Sequence, residues 1–206
     1  MRTLQYILLT CMAVCLAAAC NQQKEIEQKN AEQEHKETFE AMTQPLKIPL
    51  IKRDGTETGF IEVSESAAEG LDIRVSVHDL PPGMLAFHIH ETGVCKKPDF
   101  ESAGAHFNPD QKEHGFHNPK GPHAGDLPNI EVGADGKVDV IVNAPDVTLD
   151  QKSKFSLLDH DGSAFIIHEH QDDDLTNPSG NSGARMVCGA LTNTGKSESA
   201  HGSRLY

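Results

Sequence analysis

Tryptophan is absent from the 206 residues, and aromatics make up only 5%. Stacking of nucleic-acid bases on exposed rings is therefore not what this chain is suited to. Positive charge is also short: 18 Lys and Arg stand against 31 Asp and Glu, a formal net charge of -13. That excludes binding of a phosphate backbone through bulk electrostatics. No internal repeat is evident, and the length and 37% hydrophobic content suit one globular domain with extensions.

Cysteine is scarce, and its placement is informative. Cys11, Cys15 and Cys20 lie in the first twenty residues, which leaves Cys95 and Cys188 for the rest of the chain. The segment "LQYILLTCMAVCLAAA" follows a short positive start and reads as an export signal rather than a domain helix. Ala17-Ala18-Ala19 before Cys20 resembles a bacterial lipobox, although Leu16 sits one place further from the cysteine than the commoner pattern has it. The expectation is a signal over 1–20, lipidation of Cys20, and attachment to the membrane on the extracytoplasmic side of a cell envelope. An exported domain with two cysteines favours a Cys95–Cys188 disulfide. Residues 21–45 are polar, charged and free of glycine, and read as a tether. Residues 194–206 read as a loose tail.

From Lys47 the pattern changes to period two. "KIPLIKRDGTETGFIEV" alternates on both sides of Asp54-Gly55, and "LDIRVSV" (71–77) alternates throughout. "IEVGADGKVDVIV" (130–142) reads as two strands around Asp135-Gly136, and "FSLLDHDGSAFIIHEH" (155–170) as two around Asp161-Gly162. "RMVCGAL" (185–191) is a last short strand. Short strands with Asp-Gly turns predict an all-β, antiparallel sandwich or barrel of about eight strands. Two long strand-poor segments, about 91–128 and 170–184, interrupt it. Loops of that length usually carry function.

The histidines gather in and beside those loops. His88 and His90 are two apart on a predicted strand, so both face one side, roughly 7 Å apart. His168 ends another strand. His106 follows the small-residue turn Ala103-Gly104-Ala105, and His114, His123 and Asp126 follow in the same loop. Three imidazoles with a carboxylate suit tetrahedral zinc, and ligation by imidazoles alone suits Cu(II). A single histidine is ordinarily a surface or satisfied core residue, and His117, His160, His170 and His201 keep that reading.

In order, "FHIHE", "AGAHFNP", "KEHG", "HAGDLPN", "IIHE" and "GNSGARMVCG" resemble the copper/zinc superoxide dismutase family in its bacterial exported form. The resemblance spans about residues 46–193. It implies a Greek-key β-barrel of immunoglobulin-like architecture, with one copper and one zinc per subunit. It implies copper on His88, His90, His106 and His168, and zinc on His106, His114, His123 and Asp126, with His106 as an imidazolate bridge. Asp172 matches the carboxylate that links outer nitrogens of a copper and a zinc histidine, with Asp173 as the register alternative. Arg185 matches the arginine beside copper, and Cys95 with Cys188 the family disulfide. The implied reaction converts superoxide to dioxygen and hydrogen peroxide through a copper redox cycle, with His106 carrying a proton and zinc structural. The family includes homodimers and monomers.

No ligand position is missing. Two other classes compete: a protein that stores or delivers metal without turnover, and a structural domain that keeps zinc only. Between residues 47 and 191 there are 12 Lys and Arg against 24 Asp and Glu, so attraction of an anionic substrate must be local. Arg185, with Lys112 and Lys120 near the loops, is the candidate source. The Asp172–Asp174 run reads as a solvated turn that weakens such attraction.

Overall fold

The computed structural model describes residues 44–192. The export signal with Cys20, nearly all of the tether, and the tail with His201 lie outside the described residues. Among the described residues nine strands run β1 (Leu46–Lys52), β2 (Glu57–Glu65), β3 (Leu71–Val77), β4 (Gly83–Leu85), β5 (Phe87–His90), β6 (Ile130–Val132), β7 (Val138–Ala144), β8 (Ser163–His168) and β9 (Arg185–Leu191). There is no α-helix among the described residues; one 3-10 turn spans Glu101–Ala103.

Seven strands form one antiparallel sheet in the order β5-β8-β9-β1-β2-β3-β7, and β4 pairs with β6 in a small second sheet. The last strand, β9, lies between β8 and β1, which gives the sheet its Greek-key crossover. Only Ala86 separates β4 from β5 at one end of the large sheet, and a tight turn joins β6 to β7 at the other. The small sheet therefore links the two ends, as in a barrel.

Period-two patterning explains most of this. In β3, Leu71, Ile73, Val75 and Val77 are all buried, and the residues between them are not. β1 and β2 pair across the Asp54-Gly55 turn, with one register shift between Leu50 and Ile51. One expectation fails. Residues 155–162 are turns, not a strand, because Phe155–Leu158 fold back on Thr148 through local backbone hydrogen bonds and Leu157 enters the core that way. The strands flanking Asp135-Gly136 exist, but they pair with β4 and β3 rather than with each other.

β5 and β8 are buried on both faces. Phe87, Ile89, Phe165 and Ile167 join the main core on the inner face. Ala164 and Ile166 face outward, where Phe100, Ala103 and Cys188 cover them with Ile51 and Cys95. Burial of a side chain such as Phe100 contributes about 1.5–3 kcal/mol. The Cys95–Cys188 disulfide fastens the same loop to β9. Its ends are 93 residues apart, and in the chain-entropy account closing a loop of that size stabilises the fold by about 4–5 kcal/mol.

Candidate metal centre

His88 and His90 stand on the outer face of β5, beside Ala164 and Ile166 of β8. His168 ends β8 on that face after a β-bulge, with Arg185 opposite it on β9. The free edge of β5 is completed by loop residues: the backbone of His90 bridges to His106 and that of His88 to Asp126. Ile89 accepts from Phe107 N–H at 2.8 Å and donates to Gly125 O at 2.9 Å. The strand thus serves as the ruler along which the long loop delivers its ligating side chains.

Three groups of ligating atoms result, each within 4.8 Å of one another: His88, His90, His106 and His168; His106, His114, His123 and Asp126; and His88, His114 and Asp172. In the first group the outer nitrogen of each ring faces a carbonyl or carboxylate acceptor, and Ser182 Oγ also lies 3.2 Å from His168 Nδ1. His90 Nδ1 donates to Gly104 O at 2.9 Å, His168 Nδ1 to Gly183 O at 3.2 Å, and His88 Nε2 to the Asp172 carboxylate at 2.7 Å. Each proton is thereby fixed on the outer nitrogen. Left without any partner are His88 Nδ1, His90 Nε2, His168 Nε2 and His106 Nε2. Four buried ring nitrogens without partners, facing one another, are costly unless a cation sits among them, so this donor set fits a borderline metal such as copper.

In the second group, Oδ1 of Asp126 lies 2.8, 3.0 and 3.1 Å from Nδ1 of His106, His114 and His123. Those separations approach the roughly 3.3 Å edge of a tetrahedron with zinc-to-nitrogen bond lengths. Oδ2 of Asp126 is fixed by the N–H groups of Gly115 and His123, at 2.9 and 3.0 Å. His106 belongs to both groups, Nδ1 toward Asp126 and Nε2 toward the four-histidine group.

The electrostatics follow. Burial, with neighbouring His88, pushes His106 down to about 4 against the pull of Asp126. Burial and His88 push His168 down to about 3, and burial with His106 holds His90 well below the usual histidine value. These rings are neutral near pH 7, the form that ligates. His114 is the exception: burial opposes its charge, but hydrogen bonds to Asp126 and Asp172 prevail and raise it to about 9. Asp126 and Asp172 lie well below the usual carboxylate range, because their histidine partners outweigh burial.

Asp172, not Asp173, joins His88 to His114, through 2.7 and 3.0 Å contacts. Asp173 is exposed and binds Thr176 and Asn181. Gly180 is obligatory here, since a Cβ would come within 1.7 Å of Asp172 Oδ1. A participant that sequence reasoning missed is Asn129, whose amide both donates to and accepts from the Asp172 backbone, at 3.0 and 2.8 Å. It lies in the quoted "HAGDLPN", but a clamp 43 residues away in sequence leaves no local signal.

A cavity of about 720 Å³ opens beside His90, His106, His168 and Arg185. Arg185 Nη1 and Nη2 donate to Phe100 O and Gly104 O, both at 2.6 Å. Neither Lys112 nor Lys120 lines this cavity, but Glu91 and Glu101 do. Lys120 is paired with Glu113 at 2.9 Å, which removes it as an independent local attractor. His117, His160 and His170 are exposed.

These features define a class: a Greek-key β-barrel enzyme with two adjoining histidine-rich metal groups at the mouth of a cavity. Residues 57–191 match the family model described as copper/zinc superoxide dismutase, and the chain belongs to that family, whose metals are copper and zinc. It is 58% identical over 191 residues to the superoxide dismutase-like protein YojM of Bacillus subtilis, covering 92% of this chain and 95% of that one. It is 45% identical to superoxide dismutase [Cu-Zn] 1 of Aquifex aeolicus, covering 69% of this chain and 84% of the relative. Among solved structures it is similar to a double variant of a superoxide-dismutase-like protein from Bacillus subtilis, with a tyrosine and a proline replaced by histidine. The TM-score is 0.72 and the identity 66%, covering 73% of this chain and 99% of the other.

Proposed function

We propose that the chain disproportionates superoxide to dioxygen and hydrogen peroxide in the cell envelope, with copper held by His88, His90, His106 and His168 and zinc by His106, His114, His123 and Asp126. The observation that carries this reading is the set of four buried imidazole nitrogens without partners, aimed at one another. Copper bound there supplies the one-electron chemistry that oxidising one superoxide and reducing another requires. Zinc, which has no redox chemistry, suits the mixed group and would keep the loop and His106 in place. A neutral imidazole has one free lone pair, so His106 serves both groups as an imidazolate. With Nε2 protonated, the same ring holds the proton that a reduced oxygen needs. Arg185 binds the anion in the cavity, and the carbonyls of Phe100 and Gly104 aim its guanidinium.

The two substituted positions in the Bacillus subtilis double variant lie sixteen residues apart. His90 and His106 have that spacing and are native here, which supports full copper ligation in this chain and speaks against metal handling without turnover. The test is superoxide disproportionation by purified protein in metal-free, zinc-only and copper-plus-zinc forms. Fast turnover only with copper is expected. A copper-plus-zinc protein without turnover would leave metal storage as the function.

The apolar N-terminal run and Ala17–Cys20 support export and acylation of Cys20. Expressed in a bacterium fed labelled palmitate, the chain takes up label and Cys20→Ser does not. Equal labelling of both would remove the anchor.

A further inference from the structure

We propose that Glu91 is a positioning residue of the metal centre, its carboxylate holding the Gly104–Ala105 peptide so that the Gly104 carbonyl orients His90 and Arg185 together. An exposed glutamate at a strand end is ordinarily a solvated side chain. Three observations set this one apart. First, Glu91 grips Ala105 in both directions: its N–H donates to Ala105 O at 2.9 Å, and its Oε1 accepts from Ala105 N–H at 3.0 Å. Second, Gly104 has φ 75° and ψ -155°, a region open essentially to glycine alone, which persists only when its surroundings hold it. The Glu91 side chain lies directly against it, since a Cβ on Gly104 would come within 2.6 Å of Oε1 and 2.7 Å of Cγ. Third, the Gly104 carbonyl accepts both from His90 Nδ1 at 2.9 Å and from Arg185 Nη2 at 2.6 Å.

One peptide therefore sets two things: which His90 nitrogen is left bare, and where the guanidinium points. Glu91 is the side chain that braces that peptide. The inference rests on the copper reading for what the bare His90 nitrogen does, but the brace itself needs no metal. Because Glu91 also lines the cavity, its charge has to be separated from its hydrogen bond. Glu91→Gln removes the charge and keeps an acceptor of the same reach. Glu91→Ala removes both, and Glu91→Asp keeps the charge on a side chain too short to reach the Ala105 N–H.

The experiment is nitrogen-15 NMR of the His90 ring in the metal-free proteins, with the cupric EPR spectrum of the same proteins after copper loading. In wild type and Glu91→Gln, His90 holds its proton on Nδ1 only, and the two EPR spectra overlay. Glu91→Ala and Glu91→Asp lose the single tautomer, and their spectra shift. A wild-type tautomer and spectrum in Glu91→Ala overturns the inference, as does a change shared by Glu91→Gln. If Glu91→Ala does not fold, Glu91→Asp carries the comparison alone. Failure of the wild type to bind copper would remove the proposed function and leave the tautomer result to decide this inference.

Discussion

Arg185 is half-buried and forms no ion pair with a described carboxylate; both of its terminal nitrogens go to backbone carbonyls. An arginine serving only as a surface ion-pair partner would not be held this way. Burial lowers its affinity for the proton, yet Glu101 and Asp99 oppose that from a distance, and the group stays charged at any working pH. Among the described residues it is the one Lys or Arg lining the cavity, while Glu91 and Glu101 line it with the opposite sign. Among the described residues, local attraction of an anion to this cavity thus depends on one side chain, together with the metal proposed beside it. Arg185→Ala should lower the second-order rate constant by on the order of 10-fold and flatten its dependence on ionic strength. Arg185→Lys should recover part of the rate, since it keeps the charge but not the fork that spans two carbonyls. Stopped-flow superoxide decay at several salt concentrations checks this, and an unchanged salt dependence in Arg185→Ala would remove the assignment.

At the scale of elements, what could be read in the chain depended on how many faces an element buries. β3 alternates because one face meets the core and the other water, and β1 with β2 adds an Asp-Gly turn to the same signal. β8 is buried on both faces, so its six residues carry no alternation, and only length and flanking turns mark it as a strand. β4 is three residues long, too short for any period. The Asp135-Gly136 turn was legible while its pairing was not, because pairing is set by partners 45–73 residues away. The candidate site divides the same way. The spacing of His88 and His90 is local and survives in the sequence as a period. The Gly104 carbonyl, the Glu91 brace and the Asn129 clamp act through backbone groups or distant residues, for which side-chain identity is a weak signal.

The whole molecule feels the metal groups through its stability, because the same histidines and carboxylates titrate differently folded and unfolded. In the metal-free protein, His106 and His168 are held down to about 4 and about 3 by burial, against about 6.5 unfolded. Unfolding therefore takes up protons below about 6.5, and stability falls as pH drops through that window. Asp126 and Asp172, also depressed in the fold, add a loss in the same direction once pH falls below the usual carboxylate range. His114 has the opposite sign: raised to about 9, its contribution is complete below about 6.5 and is lost as pH climbs toward 9. The melting temperature of metal-free protein should therefore peak near neutrality, falling steeply toward acid and more gently toward alkali. Zinc changes one limb in particular. A zinc ion held by His114 Nδ1 and Asp126, as proposed, would take the place of the proton whose loss causes the alkaline decline, so zinc-loaded protein should melt at a nearly constant temperature from about 6.5 to 9. The acid limb should persist and steepen, since protons then also displace the ion. Calorimetric scans of both forms across this range provide the check. An alkaline limb that zinc leaves untouched would mean that His114 does not exchange its proton for the metal.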